Sequence, residues 1–225
     1  LRPTLIGTEA FLGVRPSENY LFYVIMSPVG SYYGNSADPV KIWVEPTYSR
    51  SGPGGMGNVK AGGNYASSLK AALEAKKNGY AQVLWLDACQ KKFIEEVGTM
   101  NVFFKIKGKV ITPPLAGTIL PGVTRASAIE LLKELGIPLE ERPLSLDEVI
   151  TAYKAGELEE AFGTGTAAAI SPIGSLGTTI KGQPFTMTIN CVKNGPVATQ
   201  LYQLFGDIYS SRTPDTRGWL VDIDQ

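Results

Sequence analysis

The chain has 225 residues, 44% of them hydrophobic and 19% charged, with 21 Lys and Arg against 21 Asp and Glu. This suits one large domain or somewhat more, with enough apolar content for a core without disulfides and no basic excess to hold nucleic acid. Histidine is absent, which excludes imidazole bases and His-based triads or metal sites, and the two cysteines, Cys89 and Cys191, are too few for a disulfide framework or a Cys-rich metal site.

No metal is therefore expected, and a reducing compartment, the cytoplasm, is the natural setting. No apolar run reaches the roughly 18 residues of a membrane span, so no membrane partner is expected either.

The chain opens at Leu1, and Arg2-Pro3-Thr4-Leu5-Ile6-Gly7 reads as the middle of a strand with none of the features of a signal peptide. The expectation is a fragment whose true N-terminus lies upstream. Leu21-Phe22-Tyr23-Val24-Ile25-Met26 is an aromatic and β-branched run that reads as a buried strand. Residues 30–39 read as loop and linker, and residues 41–45 alternate as a short strand. Residues 49–63 hold glycines at 52, 54, 55, 57, 62 and 63 around a single lysine, Lys60.

A helix is expected over 67–78, with Leu69, Ala72 and Leu73 on its apolar face and Gly79 as its stop. Residues 81–86 form a strand, and 93–106 another that breaks near Gly98. Lys107-Gly108 turns the chain back into Lys109-Val110-Ile111. A helix follows over 124–135, stopped by Gly136 and Pro138. Ser145 and Glu148 form a capping box for a helix over 146–154. Residues 160–173 are small and β-prone, Gly182 sits in a hairpin turn, and Pro196 opens a last helix running to 208. Strands and helices interleave without a strict βαβ period, which points to an α+β fold or an irregular α/β pseudo-barrel.

Four segments could carry chemistry. Lys60 among its glycines is either a solvated lysine in a loop or a Schiff-base lysine; the latter needs a shielded setting to be nucleophilic at neutral pH. Glu95 and Glu96 fall on opposite faces of a strand, so either both lie in solvent at its entry or one points inward toward a cationic ligand atom. Leu120-Pro121-Gly122-Val123-Thr124-Arg125 precedes a helix and is either an anion site of free amides or a simple turn capped by Thr124. Phe162-Gly163-Thr164-Gly165-Thr166-Ala167 can bind phosphate or carboxylate, or be no more than a bulge or turn.

The order and wording of these segments carry a resemblance. Gly57-Asn58, Lys60, Gly62-Gly63-Asn64-Tyr65, Gln82-Val83-Leu84-Trp85-Leu86, Glu96-Val97-Gly98-Thr99-Met100-Asn101, Thr112-Pro113-Pro114-Leu115, Leu120-Pro121-Gly122-Val123 and Phe162-Gly163 with Gly165-Thr166-Ala167 are similar to the branched-chain amino-acid aminotransferases, fold-type IV pyridoxal-phosphate enzymes. The resemblance runs from Arg2 essentially to the C-terminus.

It implies a division into the last strands of a small N-terminal domain (1–30), a linker (31–40) and the large cofactor-binding domain (41–225), most of the small domain being absent. It implies pyridoxal 5'-phosphate as cofactor, with Lys60 as the lysine that takes it covalently and shuttles the proton. Tyr65 would bond its phenolic oxygen, Glu96 its ring nitrogen, and Val123, Thr124 and Thr166 its phosphate. Thr166 and Ala167 would take the substrate carboxylate, and Arg2 would lie at the edge of the substrate pocket.

The implied reaction is transamination of leucine, isoleucine and valine with 2-oxoglutarate, in a homodimer. A D-amino-acid aminotransferase and an aminodeoxychorismate lyase share the fold and the lysine, and a truncated, catalytically silent chain that only dimerises is the rival of another class. A redox-active Cys-x-x-Cys found in some animal members is replaced by Ala168 and Ser171, so no thiol switch is expected.

Overall fold

A computed structural model describes residues 1–28, 39–189 and 195–221. The chain divides into two compact units, residues 1–34 and 35–225. The expected linker lies outside the described residues apart from Pro39 and Val40, as does Cys191.

The first unit is a ribbon. Strands β1 (Arg2–Gly7) and β2 (Tyr20–Ile25) pair antiparallel, with Arg2 opposite Ile25 and Gly7 opposite Tyr20. Glu9 ties the connecting loop by accepting both terminal nitrogens of Arg15 and the Glu18 amide. The expectation of a buried strand over 21–26 is corrected here: every residue of β2 is exposed, Phe22 by 63%. A continuous apolar run suits a strand covered on both faces. A lone two-stranded ribbon covers neither face.

The second unit runs β3 (Val40–Val44), α1 (Gly62–Lys77), β4 (Gln82–Leu86), β5 (Ile94–Val97), β6 (Met100–Ile106), β7 (Lys109–Thr112), α2 (Val123–Glu134), β8 (Leu139–Glu141), α3 (Leu146–Lys154), β9 (Leu158–Gly165), β10 (Ala169–Ile180), β11 (Gln183–Thr188) and α4 (Pro196–Tyr209). Among the described residues its nine strands form one sheet. Because β9 pairs with both β6 and β10, the strands β10, β3, β4, β5, β6 and β9 close on themselves as a ring. β3 is parallel to both its neighbours, and the other ring pairings are antiparallel. This is the irregular barrel the interleaved elements pointed to. β11 extends from β10, and β7 and β8 extend from β6.

Turn chemistry sets the hairpins. Lys107-Gly108 and Lys181-Gly182 both have positive φ at each position, 52° and 76° in the first and 49° and 77° in the second. That backbone twist matches two antiparallel strands joined by two residues.

α2 and α4 bury Leu131, Leu132, Leu201 and Phe205 in a core shared with Phe103 and Phe162, whose rings stack 5.2 Å apart. α1 lies instead on β4, packing Ala71 and Ala75 against Val83 and Trp85. The expected apolar face of this helix is corrected: Leu69 and Leu73 are each 60% exposed. The small alanines let the helix approach the bulky Trp85, which turns the leucines outward.

Ser145 caps α3 by accepting the Glu148 amide at 3.1 Å, but the Glu148 carboxylate bonds Arg142 rather than turning back, so the box is half made. The N-terminus of α4 is capped by a buried carboxylate from another element: Val197 and Ala198 donate their amides to Glu160 on β9. Negative charge there is favoured by the helix dipole.

Candidate active site

The glycine-rich loop that carries Lys60 is fixed from both sides. The Asn64 side chain, in the first turn of α1, donates to the carbonyls of Met56 at 2.7 Å and Val59 at 3.0 Å. Arg50 reaches from the other side, its Nη1 donating to the carbonyls of Gly57 at 3.2 Å and Thr118 at 3.0 Å. Gly57 is pressed so close to residue 118 that a Cβ there would lie 2.2 Å from the Thr118 carbonyl oxygen. Only glycine allows that approach.

Lys60 itself is exposed, so the described residues of this chain do not supply the shielding that a nucleophilic lysine needs.

Glu96, on β5, is 3% exposed. Arg50 Nε lies 2.6 Å from its Oε2, while Oε1 accepts the Leu120 amide at 3.1 Å and Asn101 Nδ2 at 3.2 Å. Burial pushes the Glu96 carboxyl up to about 7, against the opposing pull of Arg50 and the Leu120 N–H; neighbouring Glu95 pushes it up and Lys60 pulls it down. The possibility that Glu95 and Glu96 lie in solvent is excluded, because both are buried. Glu95 points the other way and accepts a hydrogen bond from the Thr118 hydroxyl, and burial raises its pKa as well.

Glu96 opens onto a cleft of about 290 Å³, counting its mouth, also lined by Arg50, Tyr65, Ser68, Gly98, Thr99 and Leu120. The turn at residues 120–122 leads from this cleft into α2. Gly122 stands at the N-cap position, no side chain among the described residues caps the helix, Val123 is exposed and Thr124 is buried. An uncapped helix start of this kind presents amides and positive dipole to an anion.

Thr166 and Ala167 lie exposed in the turn between β9 and β10, which ends on Ala169 at φ 52°. Just before it, the Thr164 hydroxyl is buried and has no partner among the described residues. Arg2 is exposed on β1 in the other unit.

Tyr65 and Glu96 thus share one cleft, the Lys60 charge acts on Glu96, and the start of α2 is one hydrogen bond away. The sequence reading missed Arg50 and Thr118, and it quoted Asn64 and Asn101 within its motifs without giving either a role. Loop residues have no periodicity to mark them. The available signal was chemical: an inward carboxylate calls for a cation, and Arg50 stands ten positions before Lys60.

Comparison with known proteins bears on the same region. The chain is 51% identical over 223 residues to branched-chain-amino-acid aminotransferase 2 of Bacillus subtilis, covering 99% of this chain and 60% of the relative. It is 43% identical over 220 residues to a probable branched-chain-amino-acid aminotransferase of Streptomyces coelicolor, again covering 60% of that protein. The chain therefore spans about three-fifths of the length of these curated relatives.

Among solved structures, the branched-chain amino acid aminotransferase of Escherichia coli superposes with a TM-score of 0.79 at 31% identity, over 98% of this chain and 68% of that one. The T.th. branched-chain amino acid aminotransferase, determined with pyridoxamine 5'-phosphate, superposes with a TM-score of 0.68 at 28% identity, over 83% of this chain and 57% of its own. The family model for amino-transferase class IV matches residues 1–176, which takes in the ribbon, the Lys60 loop, Glu96, the start of α2 and the turn at 166–168, and the chain belongs to that family.

Proposed function

We propose that this chain is the cofactor-holding part of a pyridoxal 5'-phosphate-dependent aminotransferase, which moves the amino group of leucine, isoleucine or valine to 2-oxoglutarate. The observation that carries the reading is Glu96: a buried carboxyl that titrates near neutrality, in a cleft shared with Tyr65 and bonded to the turn that opens an uncapped helix.

The residues fit the cofactor. Glu96 Oε1 is filled by two donors, whereas Oε2 meets only Arg50 among the described residues and keeps a lone pair for a ring N–H. The first turn of α2 has the sign that a phosphate needs. When bound, pyridoxal phosphate supplies an electron sink for the pair left on the substrate Cα as its proton leaves.

In this reading Glu96, steadied by Arg50, keeps a proton on the ring nitrogen. Tyr65 donates to the phenolic oxygen. Lys60 holds the cofactor through its amine and, once released, carries the proton between Cα and C4′. Val123, Thr124 and Thr166 hold the phosphate, and Thr166 and Ala167 orient the substrate carboxylate. The branched-chain substrates are supported by the names of the relatives and by the motif from Glu96 to Asn101, which favours them over the D-amino-acid and lyase alternatives. A homodimer in the cytoplasm belongs to the same reading; among the described residues no helix is long and apolar enough to cross a membrane.

A second reading, a catalytically silent chain, is favoured by the exposure of Lys60 and of the ribbon. One experiment separates the two. The chain is incubated with pyridoxal phosphate, reduced with borohydride and mapped by peptide. A pyridoxyl group on Lys60 is expected, and a label elsewhere or nowhere overturns the assignment. Turnover of leucine with 2-oxoglutarate then distinguishes an active chain from a silent one.

A further inference from the structure

We infer that Asn101 is a positioning residue that holds the Glu96 carboxylate and the start of α2 at one fixed separation, so that the ring nitrogen and the phosphate of the cofactor are gripped as a single span. The inference rests on the functional reading above. Register places the residue: Asn101 on β6 is the partner of Glu96 on β5 and, on its other side, of Thr164 on β9. Cross-strand partners project to the same face, so the three polar side chains stand in a row across the ring.

Asn101 is 5% exposed. Its Nδ2 donates to Glu96 Oε1 at 3.2 Å and to the Leu120 carbonyl at 2.9 Å. The Leu120 amide donates to the same Glu96 Oε1. Carboxylate, carboxamide and peptide therefore close a circuit, with Leu120 gripped at both its N–H and its C=O. The carboxamide oxygen faces Gly122, where a Cβ would lie 2.2 Å from Oδ1. Gly122 is the N-cap position of α2, so the chain passes over Asn101 with no slack just where the helix begins.

The chemistry asks for this side chain. Two donors on one nitrogen are needed, next to an oxygen of a carboxylate. Aspartate has the size but, when ionised, offers no donor and sets a second negative charge beside Glu96; serine offers one donor. Removing the carboxamide leaves the Leu120 carbonyl without its side-chain partner and takes a donor from the charged form of Glu96, which shifts Glu96 ionisation to higher pH. The other charged groups that act on Glu96 are Arg50 from the loop after β3, Glu95 beside it on β5 and Lys60 from the loop before α1, and Asn101→Ala alters none of them.

The test titrates pyridoxal phosphate into the chain across neutral pH and records the thermal midpoint of each protein without ligand. Asn101→Ala is expected to weaken binding about tenfold to a hundredfold and to move the pH midpoint of binding upward. Asn101→Ser, keeping one donor, should fall between wild type and Asn101→Ala, and stands in if the alanine variant folds poorly. In a Glu96→Gln background, Asn101→Ala should cost less than it does in the wild type, because the two act as a unit. A lowered thermal midpoint with an unmoved pH midpoint and additive losses overturns the inference and leaves Asn101 a packing residue. A wild type that takes no cofactor overturns the functional reading, and the span with it. A wild type that binds while Asn101→Ala binds equally well at every pH overturns the span alone.

Discussion

A carboxyl that titrates near neutrality makes the stability of its surroundings depend on pH. Glu96 has a pKa raised from 4.5 to about 7, so between those values the folded chain holds a proton that the unfolded chain releases. Its contribution is fully present below the unfolded value and is lost as pH rises through the folded one. Glu96→Gln has no such proton. In urea melts without cofactor, the stability of the wild type relative to Glu96→Gln should therefore fall between about pH 4.5 and 7, by at most about 3 kcal/mol. A difference that is flat or rises with pH would refute the assignment. In a transamination assay the same substitution should cost at least about tenfold to a hundredfold in rate, the worth of one charge-assisted hydrogen bond. Sequence alone could single out Lys60, Tyr65 and Glu96 because they sit in a recognisable order. It could not say that Glu96 is met by Arg50 and Glu95 by Thr118, because strand alternation separates the two faces without naming what covers each.

Two loops meet backbone to backbone at Gly57. Its backbone lies against that of Thr118, and Arg50 bonds both carbonyls. Gly57→Ala would set a methyl 2.2 Å from a carbonyl oxygen that belongs to the backbone and cannot swing aside. The expected result is a loss of about 1–3 kcal/mol in stability, read by denaturant melts, together with weaker pyridoxal phosphate binding as the Lys60 loop shifts. Unchanged stability and binding would mean the loop is not clamped. Elements whose cause is local were legible: the turns at 107–108 and 181–182 and the helix stop at Gly79, where φ is 83°. Those decided by what packs on top were not. α1 begins at Gly62 rather than 67 and buries alanines instead of Leu69 and Leu73, since the bulk of Trp85 beneath it sets the preference. The Glu160 cap on α4 joins residues 37 positions apart, beyond any capping motif.

Across the whole molecule the fold class, an irregular barrel, was readable from the interleaving of strands and helices, but which strands close the ring was not, since a pairing of β9 with both β6 and β10 has no local signature. The ribbon of the first unit is the other large-scale surprise. Leu5, Leu21, Phe22, Val24 and Ile25 are all substantially exposed, and an exposed apolar sheet of this kind marks a surface for association. The chain should sediment with a concentration-dependent increase in mass. Phe22→Lys with Val24→Lys, two neighbours on one face of β2, should reduce it, while a monomer at all concentrations would count against the ribbon as an association surface.

The closed ring also dictates an order of events during folding. Its longest-range seam joins Ile173 to Val40, far apart in the sequence, whereas the β5–β6–β7 hairpins close over turns of two residues. Contacts that distant in sequence form late, on a scale of roughly milliseconds to seconds. Glu96 stands on an early hairpin, but its row runs through Asn101 to Thr164 on β9, a strand that must dock on β6 from far along the chain. The cleft gathers Arg50, Asn64 and Tyr65 from one stretch of chain, Glu96 from a second and Leu120 from a third, so a cofactor that needs both Glu96 and the start of α2 can bind only once those three stretches have met.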